Sequence, residues 1–505
     1  MNNIIFDTLA SVKQTTVSSA QPYYRQQGGS LSAPHTLQRL IVPGILSVCG
    51  AAVIIAYAIA TLGVKAGMAI VAVIFGIPLL AASLFNPFFG LCVLLVVSFF
   101  IMGVKKFIPG EPPLGILLDV FTLFLFFGIF IRQSYQREFH VLKHPVSLLV
   151  LVWITYNILQ VLNPWAVSQI AWFYTVRGMA GLTLLYFVAL YAFTDLRRLQ
   201  IAAGILITLG FLAAIYGLYQ EFSGFNSVEW NWLNADEQRF NLIFQWGRFR
   251  KFSFLSDPTT FGILSACIGV FGLSLAVTLP SGMVKRATLF VCSLVIIWAM
   301  IYSGTRAAFI LVPLALLLFT YITFNPKVIA ITTFFLLVGA VVVYKSPGNP
   351  TLYRVRSAFT PNKDESMQLR LNNQKVIQPF IQNHPMGGGL GSTGEWGKRF
   401  APDSELANFP PDSGLIRIAV EQGWLGLLIF SIFTFAVLIT GVRTFLRSRQ
   451  RTIKAYALAF LLVVFMLTIA NYPQEAVLLL PNSIIFYVSV AALVRLQQLD
   501  RQTAI

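Results

Sequence analysis

The sequence predicts an all-α polytopic membrane protein with about 14 transmembrane helices. Three observations predict it. Hydrophobic residues make up 57% of the 505-residue chain and charged residues only 11%, where a soluble domain carries about a quarter charged residues. Mean hydropathy is +0.74. Uncharged apolar runs of about 20 residues, enough to cross the hydrocarbon layer, recur along the whole chain, the first clear one from Leu40 to Leu62. In lipid the backbone must satisfy its own hydrogen bonds, so such runs are read as helices. Nothing longer than a loop or tail is left to form a soluble domain.

The expected spans are 40–62, 66–85, 88–104, 114–131, 146–162, 178–194, 200–222, 259–279, 288–302, 307–324, 328–344, 423–442, 455–472 and 482–495. An even number places both termini on one side. Residues 1–39 are polar, rich in Ser and Gln, and read as a flexible cytoplasmic tail with no cleavable signal peptide. Residues 40–222 form the N-terminal membrane helices. Residues 223–442 form a core with two long loops, 223–258 and 345–422, and 443–505 supply the C-terminal helices and a cytoplasmic tail. Cys49, Cys92, Cys267 and Cys292 all fall inside spans, which argues against a disulfide framework.

Orientation follows from the basic residues. Arg132, Arg137, Lys143, Arg197, Arg198, Lys285, Arg286, Arg443, Arg447, Arg449, Arg451 and Lys454 occupy one set of short connections, assigned to the cytoplasm. The alternate short connections hold only Lys65, Lys105, Lys106, Arg177 and Arg306. The net charge of +17 is thus a matter of topology and anionic lipid, not nucleic acid. Long loops escape the orientation rule, and connections beyond about 15 residues are usually functional or disordered. The two long outer loops contain Trp, Pro, Gly and amphipathic stretches, so they are read as ordered and functional. No internal repeat or matched pair of broken helices suggests a transporter.

The chemistry-bearing clusters lie on the outer face. The run Gly247-Arg248-Phe249-Arg250-Lys251-Phe252 leads to Asp257-Pro258 at the mouth of a span. Ser303-Gly304-Thr305-Arg306 turns between two spans. Arg370 lies on an expected helix leading to His384-Pro385, and Pro410-Pro411-Asp412-Ser413-Gly414 opens another. Arginine stays protonated and presents a rigid fork matched to phosphate. Each cluster also has a plainer reading. Arg248 to Lys251 make an interfacial basic patch, Arg306 snorkels to the headgroups, and Arg370 is a solvated loop charge. Asp412, after two prolines, is a helix N-cap, and Arg417 and Glu421 are spaced to pair along that helix. His384, before Pro385 and Gly387 to Gly389, fits a turn better than a general base. No pattern of Asp, Cys or His outside suggests a metal site.

In this order and on this face, the motifs resemble the O-antigen ligase and Wzy-type polymerase superfamily of bacterial envelope glycosyltransferases. The resemblance covers about residues 245–430 and ends on Glu421-Gln422-Gly423-Trp424-Leu425-Gly426. It implies a GT-C-like fold in the inner membrane. It also implies a metal-independent, inverting transfer of glycan from an undecaprenyl-diphosphate carrier, with no cofactor. The family's outer-face arginines map to Arg306 and Arg370, with Arg248, Arg250, Lys251 and His384 as further substrate contacts and Asp412 as candidate base. Ligases of lipopolysaccharide carry a His-Asn pair where this chain has Asp412-Ser413. The expectation is therefore a polymerase of lipid-linked repeat units, working with a flippase and a chain-length regulator. The alternatives are a ligase moving a finished glycan to lipid A core or protein, and an exporter or flippase. An exporter calls for charges deep in its spans, whereas Asp119 and Arg177 fall near expected ends.

Overall fold

The computed structural model describes residues 50, 53, 57, 64–108, 114–136, 142–245, 247–345, 355–356, 359 and 365–503. The expected tail 1–39, all but three residues of the expected span 40–62, and most of 346–364 lie outside the described residues. The chain divides into two compact units, 1–78 and 79–505. In the first, the continuous described run is the start of α1 (Val64–Phe85).

The second unit continues α1 and holds a helical bundle. Its elements are α2 (Pro87–Lys105), α3 (Gly115–Gln136), α4 (Pro145–Leu159), α5 (Gln169–Val176), α6 (Leu185–Ala192) and α7 (Leu196–Ser223). Two short helices, α8 (Ser227–Asn234) and α9 (Glu237–Ile243), precede a hairpin of β1 (Phe244–Gln245) and β2 (Arg248–Phe249). Then come α10 (Pro258–Thr278), α11 (Met283–Ile301), α12 (Arg306–Thr323), α13 (Pro326–Lys345), α14 (Glu365–Asn383), α15 (Gly394–Phe400) and α16 (Gly414–Glu421). The bundle closes with α17 (Gly423–Arg447), α18 (Arg451–Ala470) and α19 (Asn482–Thr503). Among the described residues, 10 helices are long and apolar enough to cross a membrane. Every expected span from 66–85 onward coincides with a helix. Of those outside the ten, α19 ends in polar turns and α13 has a described apolar run of only Pro326–Val341.

Capping sets several starts. Asn86, His144 and Asp257 each accept a backbone N–H from the helix that follows, and each precedes a proline at the first helical position, where no N–H is needed. The centre of the bundle is α10. Of its membrane-length window, 94% is buried, so it is wrapped by protein rather than lipid. It packs against α7, α11, α12 and α18. Close approach depends on small residues, as is usual where helices meet inside a membrane. Gly269 faces Ile297 on α11, and Gly217 of α7 faces the Phe261 ring.

The connections sort into two groups. At one end Lys106 Nζ donates to the Leu255 carbonyl at 2.6 Å, Asn163 Nδ2 to Gly387 at 3.0 Å and the Gly414 N–H to Gln474 at 3.2 Å. At the other, His144 meets Gln497 at 2.8 Å, Arg495 Nε donates to Phe193 at 2.7 Å and Ser448 to Asp500 at 2.6 Å. Successive connections thus alternate ends, as successive spans require.

Three expectations are corrected. The span expected at 178–194 begins at Gln169 and is bent by a π turn at Arg177–Gly181 and a 3-10 turn at Leu182–Leu184. Arg177 therefore sits within a span instead of in a loop, because the preceding Ile170, Ala171, Trp172 and Phe173 already sustain a helix. Arg306 is the first residue of α12, not a loop residue. The cap of α16 is Ser413, whose hydroxyl accepts from Ile416 N–H at 3.4 Å, so Asp412 lies one residue outside the cap.

A Cβ on Gly217 would stand 2.5 Å from Phe261, whereas one on Gly204 of the same helix meets nothing within 4 Å. Overpacking a filled site costs about 1–3 kcal/mol. Gly217→Ala is expected to lower the thermal unfolding midpoint of the protein in detergent, and Gly204→Ala to leave it unchanged. Equal midpoints for the two variants would contradict this packing.

Candidate functional site

The site end of the bundle is built first by the 224–257 segment. Asn226 and Glu229 form a reciprocal capping box at α8. Phe225, Leu233, Ile243 and Phe252 bury a small core of their own, joined by Trp232, Phe240 and Phe249. This explains the aromatic spacing of the basic run: Phe249 and Phe252 anchor it while the charged residues between them turn elsewhere.

Each basic residue in the run has protein partners. Arg248 pairs with Glu221 at 2.6 Å, and Lys251, buried, lies 3.5 Å from the same carboxylate and 4.8 Å from the Phe225 ring. Burial pushes the Lys251 ammonium below its ordinary range, although Glu221 opposes that shift. Arg250 donates Nε to the Ser303 carbonyl at 3.0 Å and Nη2 to Thr305 Oγ1 at 3.1 Å. It thereby ties this segment to the Ser303–Arg306 turn. Burial depresses its pKa to about 10; nearby Arg306 acts in the same direction and Asp257 against it. Arg250 and Arg306, both singled out from the sequence, thus share one charged neighbourhood.

A second assembly centres on Glu421, whose side chain is 0% exposed. Its carboxylate accepts from the Gly391 N–H at 3.1 Å, the Thr393 hydroxyl at 2.6 Å and Arg417 Nε at 3.1 Å. Arg417 also donates to Glu475 at 2.8 Å. Burial opposes the Arg417 charge, but Glu421 and Glu475 more than offset it and hold the guanidinium above its ordinary range. Burial raises the Glu475 pKa, an effect only partly reversed by Arg417. The i,i+4 pairing of Arg417 and Glu421 was legible in the sequence. Glu475 was not, since it comes from the 471–481 connection.

The turn after His384 is locked onto the α16–α17 junction. Gly388 N–H donates to the Val420 carbonyl at 2.9 Å, and its own carbonyl accepts from Val167 N–H at 3.0 Å. Gly387 adopts φ +72 with its α-carbon against Val420, Glu421 and Gly423; a side chain there meets both the strain of the left-handed region and backbone. His384 stacks on Phe380 at 4.1 Å, hydrogen-bonds the Phe380 carbonyl through Nδ1 at 2.9 Å and receives the edge of Trp165. These contacts are those of a helix-ending turn.

Beside the Glu421 assembly, reached by Arg417, lies a cavity of about 280 Å³, lined by Asp119, Tyr174, Thr175, Arg177, Trp396, Arg417 and apolar neighbours. Asp119 and Arg177 form an ion pair inside it. None of Arg248, Arg250, Lys251, Arg306, Arg370, His384 or Asp412 lines this cavity. Arg370 is half-buried on α14, whose far end packs through Ile377 beside Leu406 and Val420. Asp412 is exposed and lies close enough to Glu475 to raise its pKa further. The structure thus groups Arg250 with Arg306, and Asp412 with Glu475 and Arg417. Sequence reasoning missed Asp119, Tyr174, Arg177 and Trp396 as a group. The available signal was an Asp and an Arg in otherwise uncharged spans. Among the described residues, no group of three His, Cys, Asp or Glu is placed to hold a metal ion.

Removing one partner of a buried ion pair costs about 3–5 kcal/mol. Glu421→Ala is expected to destabilise the protein by that order. Glu421→Gln, which keeps one of the two acceptor oxygens and the side chain's shape, is expected to cost less. Thermal unfolding in detergent measures both, and two wild-type midpoints would remove Glu421 from this structural role.

Residues 290–431 match the model of a family described as O-antigen ligase, Wzy_C. No curated protein matches the chain. The matched stretch contains the Ser303–Arg306 turn, Arg370, the His384 turn, Asp412 and the α16–α17 junction. Over residues 290–431, therefore, this polytopic membrane chain is similar to the O-antigen ligase family, which supports the resemblance to the O-antigen ligase and Wzy-type superfamily of membrane glycosyltransferases.

Proposed function

We propose that the chain polymerises undecaprenyl-diphosphate-linked oligosaccharide repeat units on the outer face of the inner membrane, with both termini in the cytoplasm. The observation that carries this reading is the neighbourhood of Arg306. It starts α12, where the helix dipole is positive, and stands near enough to Arg250 for their charges to oppose one another. Cations gathered at a helix start favour an anion such as a diphosphate. Asp412-Ser413, in place of the ligase His-Asn pair, favours polymerase over ligase.

The acceptor hydroxyl attacks the anomeric carbon of the donor glycan as the bond from that carbon to the diphosphate oxygen breaks. A single displacement inverts the anomeric centre. The electron pair and negative charge pass to the leaving undecaprenyl diphosphate, where Arg306 and Arg370 stabilise them. Asp412 takes the hydroxyl proton. Arginine charge does here what a divalent cation does elsewhere, so turnover persists in EDTA. Arg248, Arg250 and Lys251 act by shaping the loop and its positive field, and His384 by holding the turn.

The test uses purified protein in lipid with lipid-linked repeat units, followed by glycan length. Wild type is expected to build a ladder in EDTA. Arg370→Ala is expected to slow transfer by about 10²–10³-fold, the usual effect of losing a donor to developing charge. Arg306→Lys keeps the charge but loses the fork, so its loss is smaller. Ser413 is the cap, so Asp412→Asn leaves α16 intact while removing a base worth about 10²–10⁴-fold. Wild-type turnover by Asp412→Asn excludes the base role, and loss of turnover in EDTA, restored by magnesium, excludes the arginine mechanism. Transfer only to lipid A core assigns a ligase.

Orientation is tested separately. Reporter fusions after Asn362 and after Gln450 are expected to show periplasmic activity at the first site and none at the second; the reverse pattern inverts the topology.

A further inference from the structure

We infer that the cavity between α3, α5, α15 and α16 is a subsite for one uncharged sugar ring of the glycan. This inference rests on the glycan-transfer reading above. It concerns residues that reading does not use.

The walls supply both surfaces that a sugar needs. Tyr174 stacks against Trp396 at 4.8 Å and Phe400 at 5.1 Å, with interplanar angles of 23° and 21°. Trp396 and Phe400 are only 6.0 Å apart. Were Tyr174 sandwiched between them, they would stand nearly twice as far from each other. Both therefore lie on one side of the tyrosine ring, and neither covers its other side. A broad aromatic surface at a cavity wall matches the C–H face of a pyranose, the apolar side of an otherwise polar ligand. The opposite requirement, donors and acceptors for hydroxyls, is met by Asp119, Arg177, Thr175 and Arg417. Arg177 Nε and Thr175 Oγ1 are buried and lack a hydrogen-bond partner in the protein. Such groups are costly to leave unsatisfied.

Charge decides the ligand class. A diphosphate or a uronic acid calls for arginines whose charge is not already neutralised. Here Arg177 is paired with Asp119, and Arg417 with both Glu421 and Glu475. Paired guanidiniums still present N–H groups but add little net positive field. The site therefore suits neutral hydroxyls. The cavity volume, about 280 Å³, lies at the small end of ligand pockets, which accords with one ring.

The test is saturation-transfer NMR on the full chain in lipid nanodiscs. The probes are methyl glycosides of glucose, galactose, mannose, rhamnose and N-acetylglucosamine, with methyl glucuronide and inorganic pyrophosphate alongside. At least one neutral glycoside is expected to receive saturation. Trp396→Ala is expected to reduce that signal by about tenfold, while Trp396→Phe retains most of it; both proteins should elute as the wild type does. Pyrophosphate at equal concentration is expected not to displace the glycoside. No signal from any neutral glycoside, a signal indifferent to Trp396→Ala, stronger binding of the glucuronide, or displacement by pyrophosphate would each overturn the inference. Trp396-dependent binding by a protein that transfers no glycan leaves the subsite standing and removes the proposed function. Transfer without Trp396-dependent binding does the reverse.

Discussion

A carboxylate with no exposure to solvent, that of Glu421, is the point on which the site end of this protein depends. Its acceptor capacity is filled by a backbone N–H, a hydroxyl and a guanidinium. These donors come from three places: the glycine turn, the residue before α15, and α16 itself. A buried carboxylate is tolerated only when so satisfied. Satisfying it fixes the end of the long loop relative to the helix junction that enters the membrane at Gly423. The same constraint reaches the 471–481 connection, because Arg417 spends its second face on Glu475.

The first charged assembly obeys a related economy. Glu221 serves both Arg248 and Lys251, and Gln220 bonds Glu229 at 2.7 Å and accepts from Ser253 N–H at 2.8 Å. Basic side chains that look like a ligand-binding run along the sequence are largely occupied in holding the loop over α10 and α11. Arg250 is the clearest case, since its donors are taken up by the carbonyls and hydroxyls that shape the Ser303–Arg306 turn. What this arrangement leaves to a substrate is a field and a position rather than a row of waiting cations.

The Asp119–Arg177 pair shows how a membrane bundle accepts charge. A lone ionised side chain in a span is expensive, and pairing in a cavity is the usual remedy. The π turn beginning at Arg177 widens the span where that pair sits, as such turns often do at functional positions. The charges that line the cavity are thereby balanced within the protein.

Length and hydropathy alone determined that the chain is an all-α membrane bundle, because a span must satisfy its own backbone and cover about 30 Å of hydrocarbon. Local spacing also determined the Arg417–Glu421 pair, since its two residues are neighbours along one helix. The order of motifs through Arg306, Arg370 and Glu421 pointed to the family that residues 290–431 match. Only the tertiary structure decided that Ser413 and not Asp412 caps α16, a choice of one residue set by where the chain turns. It alone joined Glu475 to Arg417, and Asp119 to Arg177, Tyr174 and Trp396. Those partners lie tens to hundreds of residues apart, and a periodic pattern reports which face of a helix is apolar, not which other helix it meets.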